Sequence, residues 1–199
     1  MNRFASFSPC FGLAAALFAA SVGLSDETPA EKLQSGQQPG EELVRFSAMK
    51  IAGAEDDGEP AGLGLCYCCK YEGQPLVFVF ARRSSEPLAK LVAKLDEAVK
   101  DHADVKLQVV VSLLGEDQDA AEREALALEK TSGAKRVPFV IPFESDNGPV
   151  KHHIDPAAEL TVILVKDNAV VRNFAFRQGE LHAEAAKRVL GGVAGKLLK

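Results

Sequence analysis

Leu76-Val-Phe-Val-Phe-Ala-Arg-Arg-Ser-Ser-Glu-Pro-Leu88 is the stretch on which the fold turns. Its first six residues are apolar without interruption and rich in valine and phenylalanine, the composition of a short strand covered on both faces. Arg82 and Arg83 end the run. Ser84 and Ser85 then offer side-chain oxygens to the unpaired N–H groups of a helix start, and Pro87 sits where a helix tolerates proline. Leu88, Leu91, Val92, Leu95 and Val99 follow at spacings of three and four, which puts them on one helical face. A buried strand feeding an amphipathic helix is the repeating unit of an α/β sheet.

Downstream the alternation repeats. Val105 to Leu113 reads as a second buried strand, and Asp117 to Thr131 as a helix with Ala121, Ala125 and Leu128 on one face and Gly133 as its stop. Val137-Pro-Phe-Val-Ile-Pro-Phe143 is a third strand whose two prolines limit its ladder bonds. Thr161 to Val165, the turn Asp167-Asn168 and Ala169 to Phe176 read as an antiparallel hairpin, since asparagine tolerates the positive φ of tight turns. Leu181, Ala185, Val189 and Val193 mark a last helix. The order βαβαβ(α)ββα predicts a central mixed sheet with helices on both faces.

Upstream, Leu43 to Leu65 suggests a hairpin or one strand with a long loop, and the acidic groups Glu55 to Glu59 and Glu116 to Asp119 read as solvated loops. Residues 26–42 are rich in Gln, Glu, Pro and Gly without apolar periodicity and are expected to form a flexible linker. Residues 1–25 pair a weakly positive start with an apolar run, Phe11 to Leu24, and small residues after it, the pattern of a secretory signal. That run is shorter than the roughly 20 residues that span a bilayer, so no stable membrane span is expected after cleavage, an uncleaved anchor being the alternative. The expectation is an exported, periplasmic or secreted domain over residues 43–199. A net charge of -5 over 199 residues argues against a nucleic-acid partner, which needs a basic surface.

The segments Phe80-Ala81-Arg82-Arg83-Ser84-Ser85-Glu86-Pro87, Val137 to Phe143, Asp146-Asn-Gly, His153-Ile-Asp-Pro156 and Thr161 to Val171 occur in the order of the thioredoxin-like family, and the chain resembles its TlpA and AhpC/TSA (redoxin) branch. In that family the first core strand ends in a Trp-Ala-x-Trp-Cys-x-x-Cys motif. The resemblance implies a thioredoxin-like fold in which Ser84, Pro87 and Leu160 stand where the family has cysteine, cysteine and a cis-proline. Without thiolates at a helix N-terminus, neither dithiol exchange nor peroxidase chemistry is expected there. The implied function is a binding or structural module for an unknown protein or small ligand.

Three other readings concern residues outside that motif. Arg82, Arg83, Ser84 and Ser85 could hold an anion at the helix N-terminus, where guanidinium charge and helix dipole act together. A thiol placed at Ser84 is for the same reason expected to titrate below the usual value of roughly 8.5. Cys66-Tyr-Cys-Cys69 contains a Cys-x-x-Cys pair. Cys66 and Cys69 could form a structural disulfide or cycle as a thiol-disulfide oxidoreductase, and Cys66, Cys68 and Cys69 could bind zinc or copper(I), although no cofactor is expected in the leading reading. Cys10 lies within the expected signal and is expected to leave with it. These cysteines precede the strand that ends at Ala81, so they should lie at the opposite pole of the sheet from Ser84. His152 and His153 are expected at the surface or in a groove.

Overall fold

The computed structural model describes residues 33–144 and 147–198; the expected signal and residues 26–32 of the expected linker lie outside them. In chain order the elements are β1 (Ala48–Ala52), β2 (Gly64–Leu65), α1 (Tyr67–Lys70), β3 (Leu76–Ala81), α2 (Glu86–Asp101), β4 (Gln108–Leu113), α3 (Gln118–Ser132), β5 (Phe139–Pro142), β6 (Leu160–Lys166), β7 (Ala169–Phe176) and α4 (Ala183–Lys196). Among the described residues no helix is long and apolar enough to cross a membrane.

The strands form one mixed sheet in the order β2-β1-β5-β4-β3-β6-β7. β3, β4 and β5 are parallel; β6 runs antiparallel to β3, and β1 antiparallel to β5. β5 meets β4 over only two registered pairs, as its prolines require. Asp167 and Asn168 both take positive φ, 52° and 62°, and join β6 to β7 by a two-residue turn.

Helices lie on both faces, but unequally. The steps β3 to β4 and β4 to β5 cross the sheet in the same direction, so right-handed crossovers put α2 and α3 on one face. There they pack with α4 on Val77, Val79, Val109, Val111 and Leu164. The opposite residues of the same strands, Phe78, Phe80, Val110 and Ile163, are covered by α1, by Leu43 and Phe46, and by the loop carrying Ile154.

That second layer corrects the linker expectation for residues 33–42. Ser35 and Gln37 are buried. Ser35 Oγ hydrogen-bonds Thr161 Oγ1 at 2.6 Å, and Asn173 Nδ2 donates to the carbonyls of Ser35 and Gln37. The polar composition that resembled a linker instead supplies hydrogen bonds to polar positions on the sheet.

Candidate functional site

Ser84, Pro87 and Leu160 line a single cleft of about 220 Å³ with Arg83, Ser85 and Phe176, so the three positions matched by resemblance do meet. Ser85 is the N-cap of α2, its Oγ accepting the Leu88 N–H at 3.4 Å, and Pro87 lies in the first turn. Leu160 opens β6 opposite Ala81 and is buried; no cis peptide bond occurs among the described residues.

The expected anion site has a different arrangement. Glu124, from α3, places its carboxylate on Ser84, accepting from the backbone N–H at 2.6 Å and from Oγ at 2.5 Å. Arg82 turns to the loop before β6: its Nε donates to the Ala158 carbonyl at 2.8 Å, and its guanidinium also reaches Asn147 Oδ1 and the Asp155 carbonyl. Burial holds its pKa below the ordinary arginine value. Arg83 is exposed and pairs loosely with Glu159 at 3.8 Å. The head of α2 therefore already carries a negative charge from within the chain. No sequence signal pointed to Glu124, which lies 40 residues from Ser84.

At the other end of β3 the cysteines take two roles. Cys66 and Cys69 form a disulfide with Cα atoms 5.3 Å apart. Cys66 is the N-cap of α1, and its Sγ accepts the Cys69 N–H at 3.1 Å. Cys66 is half-buried and Cys69 exposed. Cys68 points into the core, its thiol directed at the Val44 carbonyl at 3.8 Å, and burial pushes its pKa up to about 11. The three sulfurs thus divide into a surface pair and a buried thiol. Among the described residues no group of three or more His, Cys, Asp or Glu is placed to hold a metal ion.

α1 is pinned by residues that sequence reading assigned to solvent. Lys50 is buried, and its ammonium donates to the Ala54 carbonyl at 2.9 Å, Asp57 Oδ1 at 2.7 Å and the Glu59 carbonyl at 2.6 Å, one acceptor for each proton. Tyr67 of α1 donates to Asp57 Oδ2 at 2.8 Å, and Lys70 to the Asp57 carbonyl and Glu59 Oε1. Burial raises the Asp57 pKa, but the bonds from Lys50, the Glu59 N–H and Tyr67 outweigh it and hold the carboxyl low. Burial, then Asp57, push the Tyr67 phenol well above its ordinary value. The acidic turn is thus folded around a cation, with only part of it solvated. Glu116 to Asp119 also has a structural member, because Asp117 caps α3.

His152 departs from expectation as well. It is fully buried against Phe46 and Phe80, with Nε2 at 2.8 Å from the Val44 carbonyl and Nδ1 without a partner. Its neighbour His153 is exposed.

Several solved structures share this arrangement of strands and helices. A candidate protein disulfide isomerase from Bacteroides thetaiotaomicron matches at 13% identity and TM-score 0.59 over 84% of this chain and 96% of its own. The fold is thioredoxin-like. The yeast mitochondrial 1-Cys peroxiredoxin matches at 9% identity and TM-score 0.52 over 79% of this chain and 76% of its own. A candidate thiol:disulfide interchange protein DsbE from Chlorobium tepidum matches at 14% identity and TM-score 0.51 over 81% and 99%. No protein-family model matches the chain, and no curated protein matches it. At these identities the likeness establishes the thioredoxin-like fold alone.

Proposed function

We propose that the chain is an exported thioredoxin-like protein whose thiol chemistry resides in Cys66–Cys69 and not at the head of α2. The observation that carries this is the surface disulfide with one exposed sulfur-bearing residue and one helix-capping one. In the oxidised state, a thiolate of a partner dithiol attacks Cys69 Sγ, forming a mixed disulfide, and the S–S electron pair leaves on Cys66. The Cys69 N–H stabilises that thiolate. The partner's second thiolate then attacks its own sulfur in the mixed disulfide and releases Cys69. The partner gains a disulfide, and the protein is left with two reduced cysteines. A disulfide spanning three residues of sequence separation constrains a loop worth roughly 2 kcal/mol by chain entropy, small beside a core of this size, which favours exchange over stapling. Ser84 and Pro87 cannot form or resolve a mixed disulfide, so the α2 cleft serves at most to bind.

A second reading, a non-enzymatic module with a structural disulfide, is favoured by the pinning of α1 through Tyr67 and Lys70. One experiment separates them. The oxidised protein, recovered from the exported fraction, is incubated with a dithiol peptide and followed by alkylation and intact mass. Exchange predicts one peptide disulfide formed per protein, lost in Cys66→Ser and Cys69→Ser and kept in Ser84→Ala. A disulfide that stays oxidised below about −300 mV and leaves the peptide reduced would establish the structural role. The same spectra read the N-terminus, expected between Ala20 and Thr28; intact Met1 in the membrane fraction would overturn export.

A further inference from the structure

Where β3 and β4 begin, the end of α1, the end of α2 and the loop after α3 border an open cavity of about 510 Å³. Five cations line it, Lys70, Lys100, Lys106, Lys135 and Arg136, with two carboxylates, Asp56 and Asp57. Part of this charge is already matched. Asp57 is taken by Lys50 and Tyr67, Lys70 by Glu59, and Arg136 by Asp96, which lies behind the cavity wall. Lys100, Lys106 and Lys135 remain, exposed and without a side-chain hydrogen bond or ion pair among the described residues, against the exposed Asp56.

Helix-end carbonyls account for a lysine in the last turn of α2 and for one just beyond α3. They do not account for Lys106, which closes only a three-residue 3-10 turn. Its backbone is left-handed, φ 57° and ψ 40°, a conformation that glycine or asparagine takes more readily than lysine. In a chain of net charge -5, three unmatched ammonium groups from two stretches of chain around one opening make a local positive field. Gln74 and Gln108 add polar groups to the wall, and Val99, Ala103 and Leu107 an apolar side.

We infer that this cavity binds a small organic anion carrying two or more negative charges on phosphate or carboxylate groups. The site does not depend on thiol exchange at Cys66–Cys69. Pyrophosphate, citrate and inorganic phosphate are titrated calorimetrically into the purified protein at low ionic strength. The comparison is with Lys106→Gln/Lys135→Gln and with Lys151→Gln/Lys187→Gln, which removes the same charge elsewhere; unfolding midpoints confirm that each variant is folded. Saturable binding of pyrophosphate or citrate is expected, weakened at least tenfold in the cavity variant and less than twofold in the control. A preference for pyrophosphate identifies a phosphate-bearing ligand, and a preference for citrate a polycarboxylate. Absence of saturable binding by all three anions, or equal weakening in both variants, overturns the proposal.

Discussion

His152 combines full burial with one unpartnered ring nitrogen, and that combination sets a pH dependence. Burial first, with His153 adding to it and only the Val44 carbonyl opposing, lowers its pKa from 6.5 to about 4. The folded protein therefore keeps the ring neutral where the unfolded chain protonates it. Between those two values the unfolded state binds more protons, so stability falls as pH drops from 6.5 toward 4. The loss amounts to about 3 kcal/mol at 1.36 kcal/mol per unit. Urea unfolding at pH 7, 5 and 4 should give a steeper loss for the wild type than for His152→Gln, by about that amount; parallel losses would mean that the ring is not held neutral. Cys68, which shares the Val44 carbonyl with His152, is kept protonated by the same burial and is unsuited to nucleophilic work.

Between elements, the deciding contact joins the head of α2 to α3. A helix N-terminus lowers the pKa of a thiol placed on it, and the sequence alone leads to that expectation at Ser84. Glu124 reverses the sign, because a thiolate at residue 84 would face a carboxylate that now accepts two hydrogen bonds from Ser84. With the three native cysteines replaced by Ser, the Ser84→Cys thiol should titrate above about 8.5, read from the pH dependence of alkylation. Adding Glu124→Gln should bring it at least one unit lower, on the order of the effect of one close charge. Titration below the ordinary value with Glu124 in place would show that the carboxylate does not govern this helix end. The geometry thus gives the head of α2 an electrostatic setting unfavourable to a thiolate.

Across the whole molecule, the polar segment before β1 acts as a strap over the second face of the sheet. Gly36 passes so close that a Cβ there would lie 2.7 Å from Thr161 Cγ2 and 2.9 Å from Asn173 Nδ2, and its φ is +80°. Gly73 has a similar φ of +75° with nothing within 4 Å, so it isolates the backbone contribution. Gly73→Ala should cost about 1 kcal/mol and Gly36→Ala about 2–4 kcal/mol, the difference being overpacking against the sheet. Equal losses in urea unfolding would mean that the strap is not seated as described. What the sequence determined by itself is what near neighbours fix. The buried run Leu76–Ala81, the faces of α2 and α3, the Asp167-Asn168 turn and the prolines that shorten the β4–β5 ladder all follow from residues a few positions apart. Tertiary structure decided the pairings across distance: Ser35 with Thr161, 126 residues away, His152 with Val44, 108 away, and Ser84 with Glu124, 40 away. It also turned Lys50 and Asp57 inward. Local periodicity records which side of an element is apolar, but a polar side chain is buried or exposed according to whether the fold delivers a partner to it, and that depends on the crossing of segments far apart in the chain.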